Sequence, residues 1–496
     1  MIKLLQLLDG VEYTSERDIS SLTVDHITSD SRMASEHSVF IAIKGAVYDG
    51  HTFAMRAYAN GCRVFVCEHA TALPSDALVI LTKNTRVALA KMSAAYYGNP
   101  AKRMRIIGIT GTKGKTTTSI LIYSTLRAAG IPAAYIGSNG IDYCEYHYDT
   151  ANTTPESSEL HYHFSKMAEA GVEVVIMEVS SQALYLSRVH GIEFETVIFT
   201  NLAPDHIGGA EHPTFEHYRD SKRSLFFDYH AKNMIYNIDD PAASYMVNPA
   251  LSLYPISLFG GGSFNAEGIE QFARDGVLGI SFELVTGKER HRVLTRSPGD
   301  FSAYNALCAM VCAKLCGVPF STSAALLSKI SVLGRFECVD IADDRYFIID
   351  YAHNGLSLRS VLSALREYPH NRLICLYGSV GARTEGRRAE LGAVASELCD
   401  YSIITSDNPD TESPEQIIDQ IAEQYSHLSK ESYVKITDRE EAILYAVRYS
   451  MPGDIVLLAG KGHEKYQLID GKKIPFSERE LLIKHAEALK KAAAVE

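Results

Sequence analysis

Residues 106–118 read IIGITGTKGKTTT, an apolar run that stops in a loop rich in glycine and threonine and ends in Gly-Lys-Thr. A strand followed by such a loop aims backbone N–H groups and a helix N-terminus at phosphate oxygens. Lys115 would neutralise those oxygens, and the Thr116 hydroxyl can ligate Mg2+. The five residues between Gly108 and Gly114 are one more than the common phosphate loop has. The stretch predicts a nucleotide triphosphate site on an α/β sheet.

The ligands predicted from the loop are therefore a nucleoside triphosphate and Mg2+. We expect the nucleotide to be held by Gly111, Thr112, Gly114, Lys115, Thr116 and Thr117. Glu178 follows the apolar run VVIM, where an open α/β sheet places its ligand crevice, and is a candidate Mg2+ carboxylate; it also fits a solvated strand end. Asp205 and His206 end another strand, as a helix cap or as a metal and phosphate contact.

Breaks in the helical and strand patterns, at glycine and proline residues, divide the chain into domains. At 496 residues and 46% hydrophobic content, the chain is longer than one core usually supports. Tyr97-Gly98-Asn99-Pro100 breaks a helical stretch just before the phosphate-loop strand, and a second break lies at Gly334. We predict domains at residues 1–100, 101–333 and 334–496.

Short runs rich in Val and Ile alternate with helical segments in the second and third domains. The runs VEVVIMEVS and ETVIFTNL lie in the second, and YFIID, RLICLYG, YSIITSD and DIVLLAG in the third. This pattern is typical of parallel sheets. It predicts an α/β protein with a central P-loop ATPase-type parallel sheet and a C-terminal Rossmann-like α/β domain.

Composition excludes several classes of protein. The net charge of −12 and a pI near 5.9 oppose a broad nucleic-acid-binding face. The N-terminus MIKLLQLLDG is interrupted by Asp9, and no apolar stretch is long enough for a membrane span, so we expect a cytoplasmic protein. The nine cysteines fit reduced thiols, and Cys308, Cys312 and Cys316 fit a buried helix stripe better than a metal site.

Several motifs carry a family resemblance over essentially the whole chain. TGTKGKTTT resembles the loop of Mur ligases and folylpolyglutamate synthases. ITSDSR at residues 27–32, by itself a polar turn, resembles the uridine-diphosphate-muramyl-binding domain of the Mur ligases, which folylpolyglutamate synthases lack. The segment NLAPDHIG with EHPTFEHYRDSKRSLF is similar to that of muramyl-tripeptide synthetases in which the lysine is carbamylated. The resemblance therefore implies that Lys222 is N6-carboxylysine and helps to hold a second Mg2+.

The resemblance also implies a role for individual residues. Catalytic roles fall to Lys115, Glu178, His206 and Lys222, with Thr116, Glu178, His206 and Lys222 at the metals. UDP-substrate contacts fall to Ser31, Lys44, Gly45, His51, Thr153, Thr154, Ser180 and Arg188, and nucleotide contacts to Asn305, Arg335, Asp350 and His353. Leu186 and Ser302 depart from the polar residues that relatives have there. From the residues alone, Arg335 equally fits a surface ion pair or a helix cap.

The implied reaction is ATP-dependent amide formation through an acyl phosphate, in peptidoglycan precursor synthesis. The implied partners are UDP-MurNAc-L-Ala-D-Glu and a free diamino acid. The resemblance implies that the diamino acid is bound at Arg383, Asp407, Asn408, Asp410, Gly460 and Glu464. We expect a monomer.

The residue at position 410 bears on which amino acid is added. Relatives that add meso-diaminopimelate generally read DNPR where residues 407–410 read DNPD, and Asp410 would repel a distal carboxylate. Asp410 with Glu464 suggests a pocket for a distal ammonium, and the EHPTFE segment resembles the lysine-adding branch, so we predict L-lysine. For the amino acid, the alternatives are meso-diaminopimelate and ornithine. For the activity, the alternative is an inactive homologue that binds the UDP-sugar. For Asp410, the alternative is a solvated loop aspartate that contacts nothing.

Overall fold

The computed structural model describes residues 1–45, 48–205, 207–208, 211–341, 344–381 and 386–493. The chain forms two compact units. Unit 1 comprises Met1–Asn265 with Leu307–Phe320, and unit 2 comprises Ala266–Ala306 with Ser321–Glu496. Within the described ranges, no helix has both the length and the apolar character needed to cross a membrane.

The first strands and helices belong to unit 1. The strands are β1 (Ile2–Lys3), β2 (Tyr13–Ser15), β3 (Thr23–Val24), β4 (His26–Thr28), β5 (Ser38–Ile41), β6 (Val64–Cys67), β7 (Leu78–Thr82), β8 (Arg105–Thr110), β9 (Ala133–Gly137), β10 (Gly140–Tyr143), β11 (Tyr146–Tyr148), β12 (Val174–Glu178), β13 (Phe194–Phe199), β14 (Ala231–Asn237) and β15 (Ser252–Ser257). The helices are α1 (Leu4–Leu7), α2 (Ala54–Ala59), α3 (Thr85–Tyr96), α4 (Lys115–Ala128), α5 (Ser157–Glu169), α6 (Ser181–Tyr185), α7 (Phe215–Phe227) and α8 (Ala243–Met246). Short 3-10 helices cover Ser31–Met33, Gly50–Phe53 and Pro100–Arg103.

Besides the two-stranded pairing of β1 with β3, unit 1 contains a small five-stranded sheet and most of a large sheet. The small sheet has the order β2-β7-β6-β5-β4, parallel from β4 to β7 with β2 antiparallel at one edge. The strands of the large sheet in this unit run β11-β10-β9-β12-β8-β13-β14-β15. They are parallel from β9 to β15, and the β10–β11 hairpin adds an antiparallel edge. The predicted central parallel sheet is confirmed.

The remaining elements complete the chain. The strands are β16 (Phe264–Arg274), β17 (Val277–Thr286), β18 (Glu289–Thr295), β19 (Glu337–Val339), β20 (Tyr346–Asp350), β21 (Leu373–Tyr377), β22 (Tyr401–Ile404), β23 (Tyr433–Lys435), β24 (Ile455–Ala459), β25 (Tyr466–Ile469) and β26 (Lys472–Pro475). The helices are α9 (Phe301–Leu315), α10 (Phe320–Leu327), α11 (Gly355–Arg366), α12 (Gly386–Leu398), α13 (Pro414–Ala422), α14 (Arg439–Tyr449) and α15 (Glu478–Ala493), with 3-10 turns at Glu423–Tyr425 and Lys430–Ser432.

Unit 2 is built on a six-stranded sheet with the order β19-β20-β24-β21-β22-β23. Strands β20 to β23 are parallel and β19 is antiparallel. Apolar side chains are buried on both faces of this sheet, as a doubly wound fold requires. The predicted Rossmann-like domain is confirmed, whereas the predicted boundaries at residues 100 and 333 stay predictions.

The cysteine stripe of α9 is buried, as predicted. Cys308, Cys312 and Cys316 are 1%, 0% and 8% exposed. Burial raises the pKa of the Cys308 thiol to about 12, so this thiol stays protonated and packs as a small apolar side chain.

Candidate active site

The phosphate-type loop follows β8, the strand between β12 and β13. Gly111 and Gly114 have φ of 154° and 84°, and a Cβ at Gly111 would overlap the Thr200 hydroxyl. Glycine is therefore required at Gly111 by space and at Gly114 by backbone conformation. Helix α4 begins at Lys115, so its free N–H groups lie at the loop, as an anion site needs.

Two lysine side chains converge on one carbonyl of this loop. Lys115 Nζ donates to Gly111 O at 2.8 Å and to Thr112 O at 3.2 Å, and Lys222 Nζ also donates to Gly111 O at 2.8 Å. Lys222, on α7, is only 2% exposed. Burial and, secondarily, the charge of Lys115 hold the pKa of Lys222 well below its usual value. Lys222 therefore carries a neutral amine more readily than a solvated lysine does.

A buried carboxylate lies at the end of β12, next to the start of α4. Glu178 is fully buried and accepts hydrogen bonds from the Thr116 hydroxyl at 2.9 Å, the Tyr135 hydroxyl at 2.7 Å and the Ser138 N–H at 2.9 Å. A carboxylate beside a threonine hydroxyl is a set of hard oxygen donors that suits Mg2+. Glu178 and Thr116 therefore fit the predicted metal, and Glu178 is not a solvated strand end.

Four predicted substrate-binding residues are linked to Glu178 by hydrogen bonds. They are Thr153, Thr154, Ser180 and Arg188. Thr154 donates from its hydroxyl to Glu178 O at 2.8 Å, and the Thr153 hydroxyl is 3.0 Å from that of Ser138. Arg188 donates to Thr154 O at 3.1 Å and pairs with Glu156 at 2.8 Å, as one of the most buried arginines of unit 1. Ser180 caps α6 by accepting from Ala183 N at 3.1 Å.

In the N-terminal sheet region, the predicted pocket residues differ in exposure. Ser31 is 6% exposed, and Lys44 is exposed. Gly45 donates from its N–H to Tyr48 O at 2.8 Å, next to the bridge between Lys44 and Asp49. Their predicted contacts with the UDP substrate stay predictions.

His51 is buried and satisfied by its neighbours. Its Nε2 accepts from Glu68 N at 2.9 Å, so Nδ1 carries the proton and donates to Asp49 at 2.6 Å. Asp49, His51 and His69 offer atoms within 4.8 Å of one another, as a metal site would. Because both nitrogens of His51 are already bonded, this trio is better explained as a support for its loop.

Three of the four nucleotide residues predicted in unit 2, Arg335, Asp350 and His353, lie at the end of strand β20 or contact Tyr351, the residue that follows it. Asp350 ends this strand, is 5% exposed and accepts from Phe336 N at 2.8 Å. Arg335 lies over the Tyr351 ring at 4.9 Å, and His353 Nδ1 is 2.9 Å from Tyr351 O. Asn305 is 6% exposed on α9. Arg335 is thus a partner of an aromatic ring and not of a described surface carboxylate.

The predicted amino-acid residues of the loops after β22 and β24 are in contact. Asn408 donates to Glu464 Oε2 at 2.9 Å, and Lys461 forms ion pairs with Asp407 at 3.5 Å and Glu464 at 3.3 Å. Gly460 donates from its N–H to Asp350 O at 3.1 Å. The two loops thus form one polar cluster.

Asp410 contacts a different element from Glu464. Its N–H donates to Leu468 O, its backbone O accepts from Asp470 N, and its carboxylate accepts from Gly471 N at 2.8 Å. The Asp410 side chain therefore supports the turn of the β25–β26 hairpin, so it is not the free, solvated aspartate of the alternative interpretation.

Two predicted residues, His206 and Arg383, lie outside the described residues. The structure adds residues that the sequence did not single out, among them Tyr135, Asn201, Glu156 and Lys461. Asn201 accepts from Lys113 N at 2.9 Å and lies two residues after β13, so its position at a strand end is the kind of signal that had selected Glu178. Lys461 also lies in a loop that follows a strand, β24, whereas Glu156 had no such signal, because its partner Arg188 is 32 residues away in the sequence.

Three family models match successive parts of the chain. The Mur ligase catalytic domain matches residues 23–100, the Mur ligase middle domain residues 109–313, and the glutamate ligase domain of Mur ligases residues 334–462. The chain belongs to the Mur ligase family. It is accordingly an ATP-dependent ligase that forms carbon–nitrogen bonds.

Individual relatives of this Mur ligase are similar along their full length. The UDP-N-acetylmuramoyl-L-alanyl-D-glutamate–2,6-diaminopimelate ligase of Clostridium botulinum is 37% identical over 483 residues, 96% of this chain and 98% of that protein. The Geobacillus kaustophilus ligase of the same name is 38% identical over 490 residues, 97% of each chain. A solved structure of a ligase of that name has a TM-score of 0.69 at 28% identity, covering 96% of this chain and 97% of its own.

Proposed function

We propose that this Mur ligase joins a diamino acid to UDP-MurNAc-L-Ala-D-Glu, with ATP as the energy source. The observation that carries the proposal is the convergence of Lys115 and Lys222 on Gly111 O, beside the buried Glu178–Thr116 pair. Lys222 lies 111 residues from Gly111 in sequence, so the contact depends on the fold. The relatives' names supply the UDP substrate and the class of amino acid.

The residues support phosphoryl transfer followed by amide formation. Lys115 and the N–H groups at the start of α4 would hold the ATP phosphates while the substrate carboxylate attacks the γ-phosphate. Mg2+, held by Thr116 and Glu178, would neutralise charge on the transferred group. The amine of the diamino acid then displaces phosphate from the acyl phosphate. No protein nucleophile is needed, so the protein's task is to align the substrates.

Carbamylation of Lys222 is part of the proposal. CO2 reacts with a neutral amine, and the depressed pKa of Lys222 favours that form. The product is a carboxylate-like anion, which would relieve the repulsion between two neighbouring ammonium groups and offer oxygen donors to a metal. His206 is proposed as a further contact of this metal.

For the amino acid, we propose L-lysine, as Asp410 and the EHPTFE segment favour. Arg383 would hold the α-carboxylate, and the Asp407–Glu464 cluster would receive the distal ammonium. The second candidate is meso-diaminopimelate, which the names of the relatives favour. Its distal carboxylate would have to be accommodated beside Asp410, whose carboxylate is fixed on the hairpin by Gly471.

A panel of amino acids tests the proposal directly. Phosphate release and the ligated product are measured with UDP-MurNAc-L-Ala-D-Glu, ATP and L-lysine, meso-diaminopimelate or L-ornithine. We expect L-lysine to have the highest kcat/KM, by about 30-fold or more over meso-diaminopimelate, because an unpaired charge is costly to desolvate. Equal or better turnover of meso-diaminopimelate would favour the second candidate, and no product with any diamino acid would refute the ligase proposal.

A further inference from the structure

One lysine lies inside the polar cluster of unit 2. Lys461 belongs to the loop after β24, and none of the roles assigned above uses it. Its side chain is 0% exposed. A lysine is rarely buried to this degree unless its charge is paired.

The Lys461 ammonium has three oxygen partners, two of them through hydrogen bonds. Nζ donates to Asn408 Oδ1 at 3.0 Å and pairs with Glu464 Oε2 at 3.3 Å and Asp407 Oδ1 at 3.5 Å. Asp407 and Asn408 come from the loop after β22. The single ammonium therefore joins the two loops at their functional residues.

The contact with Lys461 also sets the orientation of the Asn408 amide. Oδ1 of Asn408 accepts from Lys461 and from Leu468 N at 2.9 Å, while Nδ2 donates to Glu464. Two donors facing Oδ1 and a carboxylate facing Nδ2 exclude the flipped amide. Lys461 thereby aligns Glu464 both directly and through Asn408.

The charge of the cluster follows from these contacts. Two carboxylates and one ammonium leave one negative charge, which matches one ammonium of an incoming diamino acid. Both carboxylates lie within 3.5 Å of the Lys461 ammonium, so without it these like charges would repel each other and move apart. The alignment that receives the substrate would then be lost.

We propose that Lys461 is a positioning residue that holds Asp407, Asn408 and Glu464 in the arrangement that binds the distal ammonium of the diamino acid. The proposal rests on the proposed function. It predicts a defect in binding the diamino acid, with ATP and the UDP substrate bound as before.

The test compares Lys461→Met with Lys465→Met, a matched control on an exposed lysine of the same loop region. Steady-state kinetics gives kcat and a separate KM for ATP, UDP-MurNAc-L-Ala-D-Glu and the preferred diamino acid. For Lys461→Met we expect the KM of the diamino acid to rise by about 30-fold or more. The other two KM values and the control variant should be unchanged, which separates positioning from general unfolding.

Lys461→Gln, which keeps hydrogen-bonding groups but not the charge, is the second variant should Lys461→Met fail to fold. An unchanged KM for the diamino acid in a folded variant overturns the inference while the ligase proposal stands. Loss of folded circular dichroism in both variants assigns Lys461 to general stability and also overturns it. A wild-type protein that ligates no diamino acid refutes the proposed function itself.

Discussion

Two buried lysines, Lys222 and Lys461, show how environment gives one side chain opposite tasks. Lys222 donates to a backbone carbonyl and lies near a second cation, Lys115, whereas Lys461 is surrounded by two carboxylates. The first region has cations in excess and suits anionic phosphates. The second has carboxylates in excess and suits an amine. A ligase that joins a carboxylate to a diamino acid needs both kinds of site.

The largest expected effect comes from removing a cation from the phosphate-binding region. Lys115→Ala should lower phosphate release by about 1,000-fold or more with every amino acid, because charge on the transferred phosphoryl group would be left unneutralised. Binding of the UDP substrate, measured by calorimetry, should be retained. Lys102→Ala, on an exposed lysine, is the control, and near wild-type turnover of the Lys115 variant would contradict the loop assignment.

The second prediction tests whether Lys222, unlike Lys461, is carbamylated. Lys222→Ala should lose about 100-fold or more of activity, with partial recovery by added short-chain carboxylic acids that occupy the vacated space. Lys232→Ala, on an exposed lysine, should be neutral. A crystal structure grown with bicarbonate that showed an unmodified amine at Lys222 would refute carbamylation.

A third prediction tests whether burial alone disfavours a cation, as it does at Lys222. Burial lowers the pKa of His161 to about 4, and its Nδ1 has no hydrogen-bond partner among the described residues. The unfolded state, with a pKa of about 6.5, binds more protons as pH falls, so stability is complete above that value and declines toward pH 4.

We expect this histidine to cost about 2 kcal/mol of unfolding free energy between about pH 7 and pH 5. Urea denaturation at several pH values measures the change, and His161→Phe should make the profile flatter by that amount. A variant profile that is parallel to the wild type would show that the pKa of His161 is the same in the folded and unfolded states, which would contradict the prediction.

The smallest expected effect concerns Asp410 and the choice of amino acid in the amine-binding region. Asp410→Arg should narrow the preference for L-lysine over meso-diaminopimelate by about tenfold, since a guanidinium can pair with the distal carboxylate. Asp470→Arg, in the hairpin that Asp410 contacts, is a control with the same charge change and a similar φ, 49° against 53° at Asp410. Equal effects of the two substitutions would indicate a general charge effect and not a specific pairing.

Much of unit 1's active site could be predicted from sequence because its signals are local. The glycines, Lys115 and Thr116 follow one another, and Glu178 directly follows an apolar strand. The family resemblance then added Lys222 to the predicted site. Without the resemblance, a lysine on a helix would be expected to lie in solvent. The predicted cytoplasmic location and monomeric state have no such local signal in the fold and stay predictions.

What the sequence by itself determined is the class of fold, the phosphate loop and the family, since each depends on residues adjacent in the chain. Tertiary structure decided what these residues contact. It placed Lys222 on Gly111 O, directed the Asp410 carboxylate to the hairpin and enclosed Lys461 between acids of two loops. The physical reason is that burial and charge pairing are properties of side chains brought together across the sheet, which no local pattern encodes.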